Sequence, residues 1–184
     1  KRPVSTVIKF TIIIKEFCMP IENSVFQAFL TTEIVDALKM AENFRPDINL
    51  PLVGSDSPPI LDFCTALKYR AEKIIEKNEK LKILLNIGAN PNVYSKYFGT
   101  PLKCALESNA GIEFVEMLIN ANADINFPDD YGNTALFFAS EYRRLDEIRL
   151  LVKRGGLINH LNKEGEKIGR ASCLVKVYKS VVAG

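Results

Sequence analysis

The apolar positions of residues 100–126 fall into two short helical sets with a break between them. Leu102, Ala105 and Leu106 make one face, and Ile112, Val115, Leu118 and Ile119 recur at the spacing of a second. Asn109, Ala110 and Gly111 interrupt the two, so the stretch predicts a helical hairpin. Thr100-Pro101 opens it, with the threonine hydroxyl as N-cap and proline at the first helical position, where its missing N–H is not needed.

The same pattern predicts further hairpins over 25–30 with 33–42, over 60–70 with 79–87, and over 136–142 with 145–153. Gly88 reads as a C-cap of the second, and Gly155-Gly156 closes the last. Residues 50–59 carry three prolines, Gly54 and two serines, the composition of a turn or exposed loop. Residues 1–22 are dense in β-branched side chains and read as a strand, an extended capping arm or a short helix packed on the first hairpin. Gly165 begins another copy, but Lys167 and Gly169 break its pattern, and residues 160–184 read as a terminal cap.

Laying the sequence on itself gives the period. Asn49, Asn92, Asn126 and Asn159 recur at intervals of 43, 34 and 33 along the chain, Thr100 and Thr134 at 34, and Gly132 and Gly165 at 33. The first interval exceeds 34 by nine, and residues 71–78 are where most of the surplus is expected, as an added helical turn or two. The chain then divides into an N-terminal arm (1–22), a partial repeat (23–49), three repeats (50–92, 93–126 and 127–159) and a C-terminal cap (160–184).

Thr100-Pro101-Leu102, Gly88-Ala89-Asn90-Pro91-Asn92 and Asp130-Tyr131-Gly132-Asn133-Thr134-Ala135-Leu136 carry a resemblance to the ankyrin-repeat family, whose repeat has about 33 residues and a Thr-Pro-Leu-His-x-Ala signature. It extends over roughly 25–165 and is densest over 81–159. Lys103 and Phe137 stand at the family's histidine position and Phe98 at its loop glycine. The hydrogen bonds that tie one loop to the next are therefore expected to be partly replaced.

The resemblance implies an all-α fold, a helical-hairpin solenoid of about four ankyrin-like repeats with atypical caps at both ends. It also implies a non-enzymatic module that binds a partner protein through finger loops and the concave helix face. In that frame Lys96, Tyr97, Glu107, Asp130, Tyr131, Asn133, Glu141 and Tyr142 line one stripe, with Tyr97 and Tyr131 at equivalent finger positions of successive repeats. Phe98 and Phe127 either join that stripe or pack between adjacent fingers. The alternative is the non-catalytic binding part of a larger enzyme, or of a microbial or viral effector acting on host proteins. Abundant Lys, Ile and Asn with no Trp fits such a source.

Composition changes this picture little. The 184 residues suit one domain, and 24 basic against 22 acidic side chains leave no field that would select nucleic acid or membrane as partner. Cysteines at 18, 64, 104 and 173 form no Cys-x-x-Cys pair, which suits buried thiols in a reducing compartment, so an intracellular, cytoplasmic monomer is expected. No apolar run reaches the roughly 20 residues of a bilayer span, and Lys9 and Lys15 interrupt the one candidate. Because the sequence starts at Lys1, it reads as a fragment and targeting stays open.

Chemistry is sparse. His160 is the single histidine and reads as a loop residue rather than half of a Cys–His pair. No phosphate-cradling glycine motif and no ligand set with metal spacing occurs, so no catalytic, cofactor or metal residue is assigned. Asp124 and Asp129 are expected to cap backbone N–H groups rather than act as paired carboxylates. Arg143, Arg144, Lys153 and Arg154, interleaved with Asp146 and Glu147, read as a solvated face.

Overall fold

The computed structural model describes residues 23–33, 36–37, 48–53, 55, 57–70 and 76–165. Among these the fold is all-α, with helices α1 (Asn23–Thr31), α2 (Pro59–Arg70), α3 (Lys77–Asn86), α4 (Pro101–Glu107), α5 (Ile112–Asn120), α6 (Ala135–Glu141) and α7 (Leu145–Lys153). Helices α2, α3, α6 and α7 start and stop within two residues of expectation. The expected N-terminal arm, all but the start of the expected C-terminal cap, most of the expected helix over 33–42 and residues 71–75 lie outside the described residues.

Residues 71–75, at the heart of the stretch expected to hold most of the surplus of nine, are outside the described residues. Helix α2 has 12 residues, whereas α4 and α6 at equivalent places have 7 each, so part of the surplus lengthens the first helix of that hairpin. Helix α3 then starts after Glu76, whose φ of 53° is left-handed.

The chain gathers into two compact units, Lys1–Phe63 with Glu72–Asn90, and Cys64–Ala71 with Pro91–Gly184. In the first, Phe26, Phe29, Leu30, Ile60, Leu61, Phe63, Leu81 and Leu84 are buried, and the Phe26 and Phe29 rings stack with centroids 5.7 Å apart. Lys80 is fully buried among them. Its ammonium donates to the carbonyls of Leu30 at 2.7 Å and Thr32 at 2.6 Å, giving partners to carbonyls at the end of α1 that the helix itself cannot satisfy.

In the second unit α4 packs on α5 and α6, α6 on α7, and α5 on α7. Each helix supplies one apolar stripe: Leu102, Ala105 and Leu106 from α4, Phe114, Val115 and Leu118 from α5, Leu136 and Ala139 from α6, Ile148 and Leu151 from α7. Helices this short are not stable alone, so this mutual burial holds them.

The turns repeat as the sequence does. After α3, α5 and α7 the chain turns through Gly88, Asn122 and Gly155, all at positive φ, and the N–H of the residue after each returns to the carbonyl of Leu84, Leu118 or Leu151. The anchor asparagines then reach across to these turns. Asn49 accepts the N–H of Asn90 at 2.7 Å and donates to Gly88 O at 3.0 Å, and Asn126 accepts from Leu157 at 2.9 Å and donates to Gly155 O at 3.1 Å.

Candidate functional site

The second unit carries two fingers, one before α4 and one before α6, and short-range polar contacts fix their tips. In the first, Ser95 and Gly99 exchange backbone hydrogen bonds and the N–H of Tyr97 donates to Ser95 Oγ at 3.3 Å. In the second, Asp129 Oδ1 accepts from Tyr131 N at 2.9 Å and from Asn133 N at 2.8 Å. Ser95, Asp129 and Asn162, which accepts from Glu164 N, occupy the same place in successive repeats. This column of small polar caps is a repeat element that the anchor positions alone do not reveal.

On that scaffold Tyr97 is 80% and Tyr131 68% exposed, so both rings project from a pinned backbone. Lys96, Asp130 and Glu141 are also exposed. Asn133 is half-buried and tied inward, its amide oxygen accepting from Asn162 at 3.1 Å. Tyr94 and Phe127 pack with centroids 5.4 Å apart, which makes Phe127 a finger-to-finger spacer. Burial first, the Asp130 carboxylate second, push the Tyr94 pKa up.

Glu107 is less open than the sequence suggests. One carboxylate oxygen lies 3.0 Å from Lys68 Nζ, the other 3.6 Å from Lys103 Nζ, and the group's charge is felt by the Tyr142 phenol. The hydrogen bond to Glu107 raises the pKa of Lys68, and burial followed by the negative charge of Glu107 raises that of Tyr142. Thr65, Lys68, Tyr69, Tyr97, Phe98, Lys103, Cys104 and Glu107 line one cleft of about 140 Å³. Of the expected site residues it gathers Tyr97 and Glu107.

Lys68, Tyr69 and Lys103 were legible only as a helix end and a substituted signature position. The lengthening of α2 brings Lys68 and Tyr69 to the cleft. Lys103 follows from Gly99, where a Cβ would stand 2.5 Å from Lys103 Cδ, so the lysine stem lies across the glycine. Its ammonium also sits 5.0 Å from the centroid of the Phe138 ring.

The missing signature histidines are replaced in a specific way. Cys104 donates its S–H to Phe98 O at 3.3 Å, and His160 Nε2 donates to Gly132 O at 2.8 Å, which fixes its tautomer. Lys163 adds a backbone bond to Tyr131 O at 2.9 Å and a side-chain bond to Asp130 O at 2.7 Å. Burial pushes the Cys104 thiol up to about 11 and the Cys64 thiol well above its ordinary value, so neither is a nucleophile at neutral pH. Among the described residues no three His, Cys, Asp or Glu side chains gather to hold a metal, and no helix is long and apolar enough to cross a membrane.

A family model described as ankyrin repeats in three copies matches residues 67–162. The chain is 35% identical over 92 residues to ankyrin repeat protein R841 of Acanthamoeba polyphaga mimivirus, covering 47% of this chain and 15% of that protein. It is 32% identical over 140 residues to ankyrin repeat protein FPV222 of fowlpox virus, covering 76% and 17%. It is also 31% identical over 93 residues to human transient receptor potential cation channel subfamily A member 1, covering 50% and 8%. The chain thus spans less than a fifth of each of these relatives.

Proposed function

This chain belongs to the ankyrin-repeat family, and from that premise we propose that it binds a partner protein, without chemistry of its own, through its finger loops and the adjoining helix ends. Lys96, Tyr97, Glu107, Asp130, Tyr131, Asn133, Glu141 and Tyr142 form the working surface in this reading. The observation that carries it is the pair Tyr97 and Tyr131, exposed rings at matching places on successive fingers whose backbone is already fixed. Large amphipathic rings with few rotatable bonds, carried on a backbone fixed in advance, lose little freedom on binding, which is why such residues dominate interface energetics. Glu107 and Asn133 then act mainly by shaping the surface, since both are engaged internally.

The test is to isolate the partner with the unaltered chain and titrate it with Tyr97→Ala and Tyr131→Ala. Each should weaken binding by at least about 1 kcal/mol while the melting temperature stays put. Binding equal to that of the parent would remove the fingers from the interface.

A second reading is supported by the relatives' lengths: the chain is the binding portion of a longer protein, and two of the three relatives described are viral. An additional domain encoded next to this segment would favour it. The free buried thiols Cys64 and Cys104 suit an intracellular setting for either reading.

A further inference from the structure

The cleft between the end of α2, the first finger and α4 has a charge pattern that selects its occupant. Its walls carry two ammonium groups, Lys68 and Lys103, against one carboxylate, Glu107. Glu107 is only 13% exposed and is met by both lysines, so it belongs to the wall. Lys68 is 40% exposed and makes one bond of 3.0 Å to it. Lys103 Nζ, at 3.6 Å, is beyond hydrogen-bond reach of that carboxylate. An ammonium has three donors, so both lysines retain capacity directed at whatever enters. A cation entering would meet two like charges.

We propose that this cleft is a subsite for a side-chain carboxylate, Asp or Glu, carried by an extended segment of the partner that passes between Tyr69 and Tyr97. The proposal rests on the protein-binding reading above and adds the chemistry of what is bound. Volume agrees: about 140 Å³ is well above the roughly 10–15 Å³ that suffices for one water, enough for one short side chain. Tyr69, 65% exposed on the helix rim, and Tyr97, 80% exposed on the finger rim, offer apolar faces to the chain on both flanks. A chain terminus would use one rim; a passing segment uses both. Lys103 is held in advance by Gly99 and Phe138, so little side-chain freedom is lost when it engages.

The test is a random ten-residue library displayed with both ends fused, so that no free terminal carboxylate is present, selected on the whole chain. Asp or Glu should be enriched at one position. The selected sequence, synthesised with blocked ends, should bind at least tenfold more weakly to Lys68→Gln and to Lys103→Gln, with their melting temperatures retained. Replacing the peptide's own acid by its amide should cause the same loss against the unaltered protein, a measurement that no folding defect can imitate. Selection on Lys68→Glu should shift the position towards Lys or Arg. Binders without an acidic position, yet weakened by Tyr97→Ala, would overturn the carboxylate subsite and leave the protein-binding reading standing. Failure to select any peptide, together with salt-sensitive binding of a single-stranded oligonucleotide, would overturn both.

Discussion

The side-chain oxygen of Asn92 accepts the backbone N–H of Asp124 at 2.7 Å, and its amide nitrogen donates to Asn122 O at 2.8 Å, thirty residues along the chain. One side chain thereby joins the base of a finger to the turn that ends the following hairpin. Asn49 and Asn126 do the same for their own turns.

Removing such a bridge should be costly although the residue is exposed. Each bond contributes about 0.5–1.5 kcal/mol net, so Asn92→Ala should lose about 1–3 kcal/mol by denaturant titration. Asn92→Asp keeps an acceptor for Asp124 N but loses the donor to Asn122 O, and should fall between. An Asn92→Ala midpoint equal to that of the parent would show that the bridge follows the fold rather than holding it.

Lys80→Met should destabilise the protein, because the carbonyls of Leu30 and Thr32 lose their partner and remain shielded from water. A loss of about 1–3 kcal/mol is expected. The effect should depend on pH. Burial lowers the folded-state pKa of Lys80 below 10.5, so below both values the folded protein carries the cost of an ammonium out of water. That cost disappears as pH rises from the folded value to 10.5, and the stability of the parent relative to Lys80→Met should therefore rise over this window. A flat or falling difference would contradict the assignment.

Thr100 and Thr134 head equivalent helices and should answer differently to valine. Thr100 Oγ1 accepts the N–H of Lys103 at 3.3 Å, so Thr100→Val should cost about 1 kcal/mol, as lost N-caps do. Thr134 is fully buried and its hydroxyl has no hydrogen-bond partner among the described residues. Thr134→Val should be neutral or stabilising, and thermal melts of the two variants side by side decide it.

Gly132→Ala should loosen the joint between successive fingers. At φ 83° an L-residue is strained by about 1–2 kcal/mol, and the added Cβ would stand 3.0 Å from the backbone N of Lys163. Gly155→Ala, at φ 95° with nothing among the described residues within 4 Å of its Cβ, carries the strain without the clash. The first should therefore melt lower than the second; equal melting points would mean the contact is not limiting.

Repeat length, hairpin boundaries and the anchor asparagines could be read directly, because they rest on local rules. A helical apolar period, a proline at a helix start and a glycine at a helix end each act over a short span of chain. The spacing of Asn49, Asn92, Asn126 and Asn159 showed that something recurs. It could not show that the first three hold turns far along the chain, each at the end of the next hairpin.

The rest was decided by packing across that distance. Lys80 lies where Phe114 lies one repeat later, and a sequence reader expects it to be solvated; both are fully buried, and the open carbonyls at the end of α1 explain why a lysine fits there. Glu107 looked like a free carboxylate at a helix end. The extra turn of α2 carries Lys68 to within 3.0 Å of it and makes a wall of what would have been an open position. Sequence alone determined the period and the helices, since these follow from each residue's own conformational preferences. Which polar side chains are satisfied internally and which stay available to a partner depended on neighbours brought together from separate hairpins, and only the tertiary structure supplied them.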